Sequence, residues 1–435
     1  MASNSNLPRR VRFLQSLARL ILRLFTRFEV HGAEKIPGSG PTLLTMNHLH
    51  FLDPVIGISI VNRHSKMFTA DKWATRPVIG HMIRWSQQAI FVARGEVDRK
   101  ALGKALEALK EGLVLGGYPL WLPALGARQP RPEAILRFGA VPTSAALSTW
   151  LEASAPPTHI HVRDDGQWAD DLHLTHTLIQ ADPALFCVRL AAALEGTPAA
   201  PAAWTTFLQR VEEATWAAVD RALAIGPLFD GGAIARALAA LPEDAVVFAG
   251  NSMPVRYVDA FDRPDARAIT VYGNRGASGI DGNVSTALGL AAASERPVVA
   301  FLGDITFYHD MNGLLAARQH GLTDVTFVVT NNDGGGIFRR LPIARHDPPF
   351  TDLFLTPHGL TFSHAAALYG LSYTAVHDSL GLDAALNDSR PQSVARLIEV
   401  ITDGAADHNA HRAILAAVAA GLGDVSSKDD TGFTD

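Results

Sequence analysis

The stretch PVVAFLGDITFYHDMNGLL, residues 297–315, decides the fold. It opens with a continuous apolar run, typical of a strand buried in a parallel sheet, and this run leads to Asp304. The run VTFVVTNN, residues 325–332, follows the same pattern and ends at Asn332. We predict a helix over about 310–319 between the two runs. Both polar ends should then emerge at the carboxyl edge of neighbouring parallel strands, where α/β folds bind ligands.

The oxygen atoms at these two strand ends suit a magnesium ion. Mg²⁺ prefers a near-octahedral shell of oxygens and often takes part of that shell from substrate phosphates. The Asp304 carboxylate, an asparagine amide oxygen and a backbone carbonyl of Gly334–Gly336 would supply three ligands. The glycines also allow the backbone to approach a ligand closely. The alternative is a pair of ordinary loops whose turn residues satisfy one another.

Strand-like runs alternate with helices on both sides of this stretch. AVVFAG and AITVYG precede it, and AILRFG, HIHVRDD and LFCVRL are read as strands farther upstream. The alternation predicts an α/β protein with a doubly wound parallel sheet. The Pro/Ala-rich EGTPAAPAAW predicts a linker, and the final SSKDDTGFTD predicts a disordered tail.

The composition excludes several classes of protein. The chain has 435 residues, of which 48% are hydrophobic and 19% charged, as in a globular protein with a large core. The net charge of -5 argues against a nucleic-acid binder as a whole. No apolar run is long enough to predict a transmembrane helix. The single cysteine, Cys187, excludes a disulfide framework and a cysteine-based metal site, and we expect it to be a small core residue.

Five stretches between about residues 133 and 345 carry a family resemblance. They are AILRFGAVPTSAALSTWL, VFAGNSMPVRYVDAF, VYGNRGASGIDGNVSTALG, FLGDITFYHDMNGLL and NNDGGGIFRRLP. The pattern resembles the thiamine diphosphate-dependent enzymes and, among them, the 2-succinyl-5-enolpyruvyl-6-hydroxy-3-cyclohexene-1-carboxylate synthases of menaquinone biosynthesis. The likeness extends to about residue 420. It implies a transferase that is cytoplasmic and forms a homo-oligomer, either a dimer or a tetramer.

The resemblance assigns a cofactor role to each matching position. Asp304, Asn332 and the carbonyl of Gly334 would be the ligands of Mg²⁺ or Mn²⁺. Together with Gly303 they would hold the diphosphate of thiamine diphosphate. Ile280 would support the bent cofactor from beneath.

The resemblance also assigns a substrate site. Ser252, Arg256 and Arg275 would hold the carboxylates of 2-oxoglutarate and isochorismate, and the planar fork of arginine suits such groups. Ile337 and Phe338 would line the pocket. In the implied reaction carbon dioxide leaves 2-oxoglutarate, and the resulting carbanion adds to isochorismate. For Arg275 the alternative is a salt bridge within its own turn.

One component of the family pattern is missing from the sequence. In the family a first domain binds the pyrimidine ring, and the partner subunit supplies a glutamate that protonates it. No acidic residue before position 133 stands in a matching context. We therefore expect impaired turnover and weak binding of the cofactor, and the non-enzymatic alternative is an inactive fusion fragment.

The N-terminal part carries a different motif, NHLHFLDP, in which His48 and Asp53 follow the strand-like run TLLTMN. A histidine held by a carboxylate can act as a general base on an alcohol. Residues from about 10 to 116 resemble the glycerolipid acyltransferases, which use acyl-CoA and lysophosphatidic acid. The resemblance makes His48 the base, Asp53 its partner and Arg94 a substrate-binding arginine. The Glu-Gly-Thr-Arg block that grips phosphate in the family is absent, and the chain reads GGYPLWLPALG instead.

Residues 9–28, RRVRFLQSLARLILRLFTRF, have apolar residues at helical spacing and arginines largely on another face. A basic amphipathic helix of this kind can lie in a membrane interface, which would place the chain at the inner face of the membrane. The alternative is a surface helix that packs on its own domain.

Taken together, these patterns predict a chain assembled from two truncated parts. In the junction we expect Trp121 and Leu122 to be exposed, because no native surface would cover them. The predicted units are an acyltransferase-like domain (1–116), a junction (117–132), a partial central domain of the synthase (133–197), a thiamine diphosphate domain on the pyrophosphate side (198–420) and a disordered tail (421–435).

Overall fold

The computed structural model describes residues 114–193, 202–388 and 393–426, together with Ser16 and two short strands. These strands, β1 (Met67–Ala70) and β2 (Ala89–Val92), pair in parallel. The remaining strands form one sheet of three and one of six, and every pairing in both is parallel. The predicted parallel α/β fold class is therefore confirmed.

The six-stranded sheet has the order β10-β11-β9-β8-β6-β7. Its strands are β6 (Val246–Ala249), β7 (Thr270–Tyr272), β8 (Val298–Gly303), β9 (Val325–Asn331), β10 (Ser372–Val376) and β11 (Arg396–Ile401). The chain leaves β6 for β7 on one side and then returns to β8 on the other. This reversal creates a topological switch point at the carboxyl ends of β6 and β8, the place where doubly wound sheets bind ligands.

The smaller sheet comprises β3 (Ala134–Phe138), β4 (Thr158–Arg163) and β5 (Thr177–Gln180). The helices of the described residues are α1 (Tyr118–Leu125), α2 (Ala145–Ser154), α3 (Pro183–Ala193), α4 (Ala202–Ile225), α5 (Asp230–Ala239), α6 (Met253–Phe261), α7 (Asn283–Ala293), α8 (Asp304–Asp310), α9 (Leu314–His320), α10 (Ser363–Tyr369), α11 (Ser379–Leu386) and α12 (Gly404–Ser426). Short 3-10 helices cover Gly336–Arg340 and Pro342–Arg345.

Both faces of the central strands β6, β8, β9 and β11 are largely buried, which explains their near-continuous apolar sequences, whereas the edge strand β7 exposes Val271 and Tyr272. Because side chains alternate along a strand, neighbouring residues enter different cores. Phe301 and Val328 pack with α4, α5, α6 and α12 on one face. Leu302 and Phe327 pack with α7, α9 and α10 on the other. The sheet therefore holds the ends of β8 and β9 rigidly between two helical layers.

The segment expected to be an exposed junction is instead part of the core. It forms helix α1, in which Trp121 is 4% exposed and Leu122 is 2% exposed. Both side chains belong to the same apolar cluster as α4 and α12. The prediction that they are exposed was wrong, because these helices supply the apolar surface that the sequence pattern did not reveal.

Two further local predictions were wrong. LFCVRL lies in helix α3 instead of a strand, and Cys187 is exposed there instead of buried. The helix predicted over about 310–319 is two helices, α8 and α9, and α8 already begins at Asp304. A short apolar run fits a helix or a strand equally well, so periodicity alone could not separate them.

Among the described residues, no single helix is both long enough and apolar enough to cross a membrane. One helix pair, Trp204–Ile225 with Asp230–Ala239, passes the same length and composition test only when joined across a bend of 109°.

Candidate cofactor site

The polar strand ends singled out from the sequence lie side by side. The register of β8 and β9 pairs Gly303 with Thr330, so Asp304 and Asn331 continue from adjacent strand ends. β6 lies on the other side of β8 and leads into Asn251 and Ser252. The candidate site therefore occupies the switch point of the sheet, as the α/β pattern predicts.

The Asp304 carboxylate is the centre of this arrangement, and the residue is only 2% exposed. Its Oδ2 accepts hydrogen bonds from the backbone amides of Asn332, at 3.1 Å, and of Gly334, at 2.9 Å. Its Oδ1 accepts a hydrogen bond from the Ile305 amide at 2.6 Å. One carboxylate thus brings together the three residues predicted as metal ligands.

The amide side chain of Asn332 is oriented by a second carboxylate. Its Nδ2 donates to Asp230 Oδ2 at 2.6 Å, which fixes Oδ1 as the acceptor end. Oδ1 is buried and has no hydrogen-bond partner among the described residues. A buried acceptor without a partner is costly, so this oxygen is a natural ligand for a cation.

Asp230 is itself held in a buried network. Its Oδ1 accepts a hydrogen bond from the Thr402 hydroxyl, and its backbone amide donates to Asp407. Burial, followed by the nearby charge of Asp407, raises the pKa of Asp230 to about 8. The Asp230 carboxyl is thus not a candidate ligand itself, and its role is to orient the Asn332 side chain.

The glycines around the site have two different functions. Gly334 has a φ of 138°, and a Cβ there would lie 2.1 Å from the Leu355 carbonyl oxygen, so only glycine fits. A Cβ on Gly303 would instead meet no atom within 4 Å. The space beside the end of β8 is therefore open, as the approach of a phosphate group to the backbone requires.

These residues fit a magnesium diphosphate. The donor set consists of oxygens alone, it includes a carboxylate and the unsatisfied amide oxygen, and Asp304 directly follows Gly303, where the space is open, at a switch point. The Gly334 carbonyl, the third predicted ligand, accepts a hydrogen bond from the Gly336 amide and keeps a second lone pair. The assignment of Asp304, Asn332 and Gly334 to a metal remains a prediction.

The residues predicted to bind substrate lie around the end of β6. Ser252 precedes α6 with a φ of 72°, unusual for a residue with a side chain, and its carbonyl accepts a hydrogen bond from Arg256. Arg275 donates to Asn251 Oδ1 at 3.1 Å. The salt-bridge alternative for Arg275 finds no support, because no carboxylate pairs with it in the part of the chain described here.

Positive charge accumulates on this side of the site. Desolvation lowers the pKa of Arg256, and the charges of Arg275 and Arg340 lower it further. Three guanidinium groups within electrostatic reach of one another favour a bound anion, because an anion relieves their mutual repulsion.

The three apolar residues predicted to contact the cofactor or substrate lie in well-defined surroundings. Ile280 is half-buried in the loop before α7, and Ile337 packs on the core beside the sheet. The Phe338 ring packs edge-to-face on Phe354, with centroids 5.4 Å apart. Their roles toward a cofactor or substrate stay predictions.

Four polar residues of the site were not singled out from the sequence. They are Asp230, Asn251, Asn283 and His358. Asn251 Nδ2 donates to the Gly279 carbonyl at 2.6 Å, and the backbone amide of Asn251 donates to Asn283 Oδ1. These two asparagines therefore fix the loop that contains Arg275 and Ile280. Both asparagines stand inside stretches that carry the resemblance, which was the available signal.

His358 lies 54 residues beyond Asp304 in sequence, yet its Nε2 is 3.3 Å from Asp304 Oδ2. The hydrogen bond to Asp304 raises the pKa of His358. No sequence pattern ties a histidine at that distance to a strand end, so only the folded chain reveals it. The N-terminal candidates His48, Asp53 and Arg94 lie outside the described residues, and so does the helix predicted over 9–28 except for Ser16, which is helical.

Comparison with known families supports the two-part composition. Residues 256–400 match the family described as thiamine pyrophosphate enzyme, C-terminal TPP binding domain. Residues 27–122 match the family described as acyltransferase. Among solved structures, the benzoylformate decarboxylase from Polynucleobacter necessarius aligns at a TM-score of 0.43 and 17% identity, over 62% of this chain and 49% of that one.

Curated relatives are named 2-succinyl-5-enolpyruvyl-6-hydroxy-3-cyclohexene-1-carboxylate synthase. The Roseiflexus sp. (strain RS-1) protein is 49% identical over 296 residues, which are 68% of this chain and 50% of the relative. The Halobacterium salinarum protein is 43% identical and covers 68% of this chain and 49% of the relative. The Bacillus velezensis protein is 37% identical and covers 76% of this chain and 58% of the relative.

This chain therefore spans about half the length of the curated relatives that it matches. The resemblance inferred from the five motifs is confirmed at the level of homology. The chain is a homologue of the 2-succinyl-5-enolpyruvyl-6-hydroxy-3-cyclohexene-1-carboxylate synthases with a thiamine pyrophosphate enzyme C-terminal domain, and it also carries an acyltransferase-family region.

Proposed function

We propose that the chain binds Mg²⁺ and the diphosphate of thiamine diphosphate at the ends of β8 and β9. We further propose that it takes part in the reaction of its named relatives, joining decarboxylated 2-oxoglutarate to isochorismate. One observation carries the proposal. The Asn332 Oδ1 atom is buried and unsatisfied beside the Asp304 carboxylate, at the switch point of the sheet.

In this proposal Asp304, Asn332 and the Gly334 carbonyl hold the ion, and the open space at Gly303 admits the diphosphate. Mn²⁺ can replace Mg²⁺ in the same oxygen site. When bound, the cofactor supplies the electron sink that allows a 2-oxo acid to lose carbon dioxide. The protein positions the reacting groups and excludes competing chemistry.

The substrates fit the charge of the neighbouring residues. Both 2-oxoglutarate and isochorismate are dianions, and Arg256 and Arg275 provide guanidinium groups beside Ser252. Arginine binds carboxylates through two parallel hydrogen bonds, which fixes orientation as well as charge. Ile337 and Phe338 would form the apolar side of the same pocket, and Ile280 would support the cofactor.

We propose that turnover by this chain alone is slow. The described site supplies the diphosphate side of the cofactor, and the family's activating glutamate has no counterpart in the matched motifs. A full-length relative mixed with the chain should then raise carbon dioxide release above the sum of the two proteins measured separately. Simple additivity of the two rates would contradict the rescue.

Cofactor binding is tested directly by calorimetric titration of the full chain with thiamine diphosphate in the presence of Mg²⁺. The Asp304→Asn variant removes the charge while keeping the shape, and we expect the Kd to rise by at least about tenfold, because a charged ligand to the ion is lost. Titration with Mn²⁺, followed by electron paramagnetic resonance, reports the metal without requiring turnover.

Asp324→Asn is the matched control, since Asp324 is exposed in the loop before β9. It should leave the Kd unchanged. Thermal melting should show that the wild type and Asp304→Asn are both folded. If they then bind the cofactor with equal affinity, Asp304 is not a ligand of the metal ion.

A second function is favoured by the acyltransferase-family match at residues 27–122. We propose acyl transfer from acyl-CoA to lysophosphatidic acid, with His48 as base and Asp53 as its partner. Acyl-CoA consumption that depends on lysophosphatidic acid and disappears in His48→Ala is the expected result. Consumption that persists in His48→Ala would assign the activity to something else.

A further inference from the structure

A cavity of about 610 Å³ lies outside the candidate cofactor site. It is formed by the two 3-10 helices after Gly335 and by one face of α12. None of the residues predicted from the sequence to bind the cofactor or substrate lines it, and it shares one residue, Arg340, with the positive charge around Arg256 and Arg275. The lining residues are Arg339, Arg340, Leu341, Pro342, Ala344, Arg345, His408 and Arg412.

The lining is strongly cationic. It contains four arginines and a histidine, and no carboxylate is among the residues that line it. Within residues 114–426, as far as the structure describes them, none of these arginines forms a salt bridge. Arg340 donates to the Tyr257 hydroxyl at 2.7 Å, and that hydroxyl in turn donates to Asp407. Only Arg340 is therefore linked to an acidic residue, and only indirectly.

Two lining groups have buried polar atoms without partners. Arg339 Nε and His408 Nδ1 are both inaccessible and make no hydrogen bond to the described residues. Arg339 is held at the start of α12, where a Cβ on Gly404 would lie 3.3 Å from its Nε. Native proteins leave few such atoms unsatisfied, so both atoms have hydrogen-bonding capacity that the described residues do not use.

Burial and the positive charges around the cavity lower the pKa of His408, which lines it. Desolvation lowers the pKa of His408, and the charges of Arg340, Arg412 and Arg339 add to this, whereas Asp407 opposes it. The guanidinium groups of Arg339, Arg340 and Arg412 thus create a positive potential that an anion would neutralise.

We propose that this cavity is a second anion-binding site, which takes a small organic dianion bearing a phosphate group or two carboxylates. The volume lies within the range of about 300–1,000 Å³ typical of small-molecule sites. Arginine forks bind phosphate and carboxylate oxygens in pairs. Leu341, Pro342 and Ala344 give the cavity an apolar side, which suits a carbon skeleton as well as a charged head.

The proposal does not depend on the proposed cofactor function, because none of its residues belongs to the predicted metal or cofactor set. It is tested with the full chain by calorimetric titration with inorganic phosphate, succinate and acetate at constant ionic strength. Phosphate or succinate should bind at least about tenfold more tightly than the monoanion acetate, since two charges can engage two arginines. The tighter of the two dianions identifies the head group.

Arg345→Gln and Arg412→Gln are the test variants, because both arginines are exposed and line the cavity. Each should weaken dianion binding about tenfold, through loss of a charge-assisted hydrogen bond. Arg318→Gln, at an exposed position on α9, is the matched control and should bind like the wild type. Arg275→Gln should also leave dianion binding unchanged, which separates this site from the proposed substrate site.

Equal binding of acetate and the dianions, or equal losses in Arg318→Gln and the two cavity variants, would overturn the proposal. Loss of dianion binding in Arg275→Gln would do so as well, by assigning the anion to the proposed substrate site. Thermal melting of each variant confirms that the titrated protein is folded.

Discussion

His411 shows how one buried side chain can make stability depend on pH. Its ring packs beside Tyr257 and Phe261, with centroids 5.8 Å and 6.5 Å away, and its Nδ1 is buried and has no hydrogen-bond partner in the described part of the chain. Burial, followed by the charges of Arg340 and His408, lowers the pKa of His411 from 6.5 to about 3. The folded protein therefore keeps this imidazole neutral when an exposed histidine would be charged.

The sign of the pH effect follows from this difference. Below about pH 6.5 the unfolded chain binds a proton on His411 that the folded chain rejects, so stability is lost as the pH falls from 6.5 toward 3. We expect His411→Gln to lose less stability than the wild type between pH 6.5 and 4.5, measured by denaturant unfolding.

His320→Gln, at an exposed position at the end of α9, serves as the control and should follow the pH dependence of the wild type. Parallel unfolding curves for the wild type and His411→Gln across this range would show that His411 does not titrate differently on folding.

At the scale of elements, α1 is fixed to α4 by one carboxylate. Glu212, 8% exposed, accepts four hydrogen bonds. Its Oε1 accepts from the amides of Gly116 and Gly117 and from Trp216 Nε1, and its Oε2 accepts from Trp121 Nε1 at 2.9 Å. The first two bonds satisfy backbone amides at the start of α1, where a helix has none of its own acceptors.

We expect Glu212→Ala to lower the free energy of unfolding by about 2–4 kcal/mol, because several buried donors lose their acceptor at once. The neighbouring Glu213 is exposed, and Glu213→Ala should change the free energy of unfolding by less than about 0.5 kcal/mol. Chemical denaturation followed by tryptophan fluorescence measures both. Similar losses in the two variants would show that the cluster of hydrogen bonds adds nothing to stability.

At the scale of the whole molecule, the packing of α1 changes the expected boundary between the two parts. The acyltransferase-family match ends at residue 122, whereas α1 packs with α4 and α12 in the core of the synthase-like part. We propose that the second structural unit begins at Gly116, so that it overlaps the end of the acyltransferase-family match over 116–122. The apolar GGYPLWLPALG then packs as part of the second structural unit, which explains why Trp121 is buried.

The sequence by itself determined the α/β class and the two strand ends of the site. β6, β7, β8 and β9 coincide with the runs AVVFAG, AITVYG, PVVAFLGD and DVTFVVTNND. For β6, β8 and β9 the reason is that a strand covered on both faces must be apolar along its whole length. Asp304 and Asn332 could be placed together for the same reason, since parallel neighbours end at one edge of the sheet.

Only the tertiary structure decided which distant groups complete these local patterns. Asp230 orients Asn332 from 102 residues away, and His358 reaches Asp304 across 54. The burial of Trp121 depends on helices that begin far along the chain, and the cationic cavity requires α12 to pack against residues 336–345. Periodicity and motif spacing describe neighbours along the chain, whereas packing, hydrogen-bond partners and electric fields act between residues that only folding brings together.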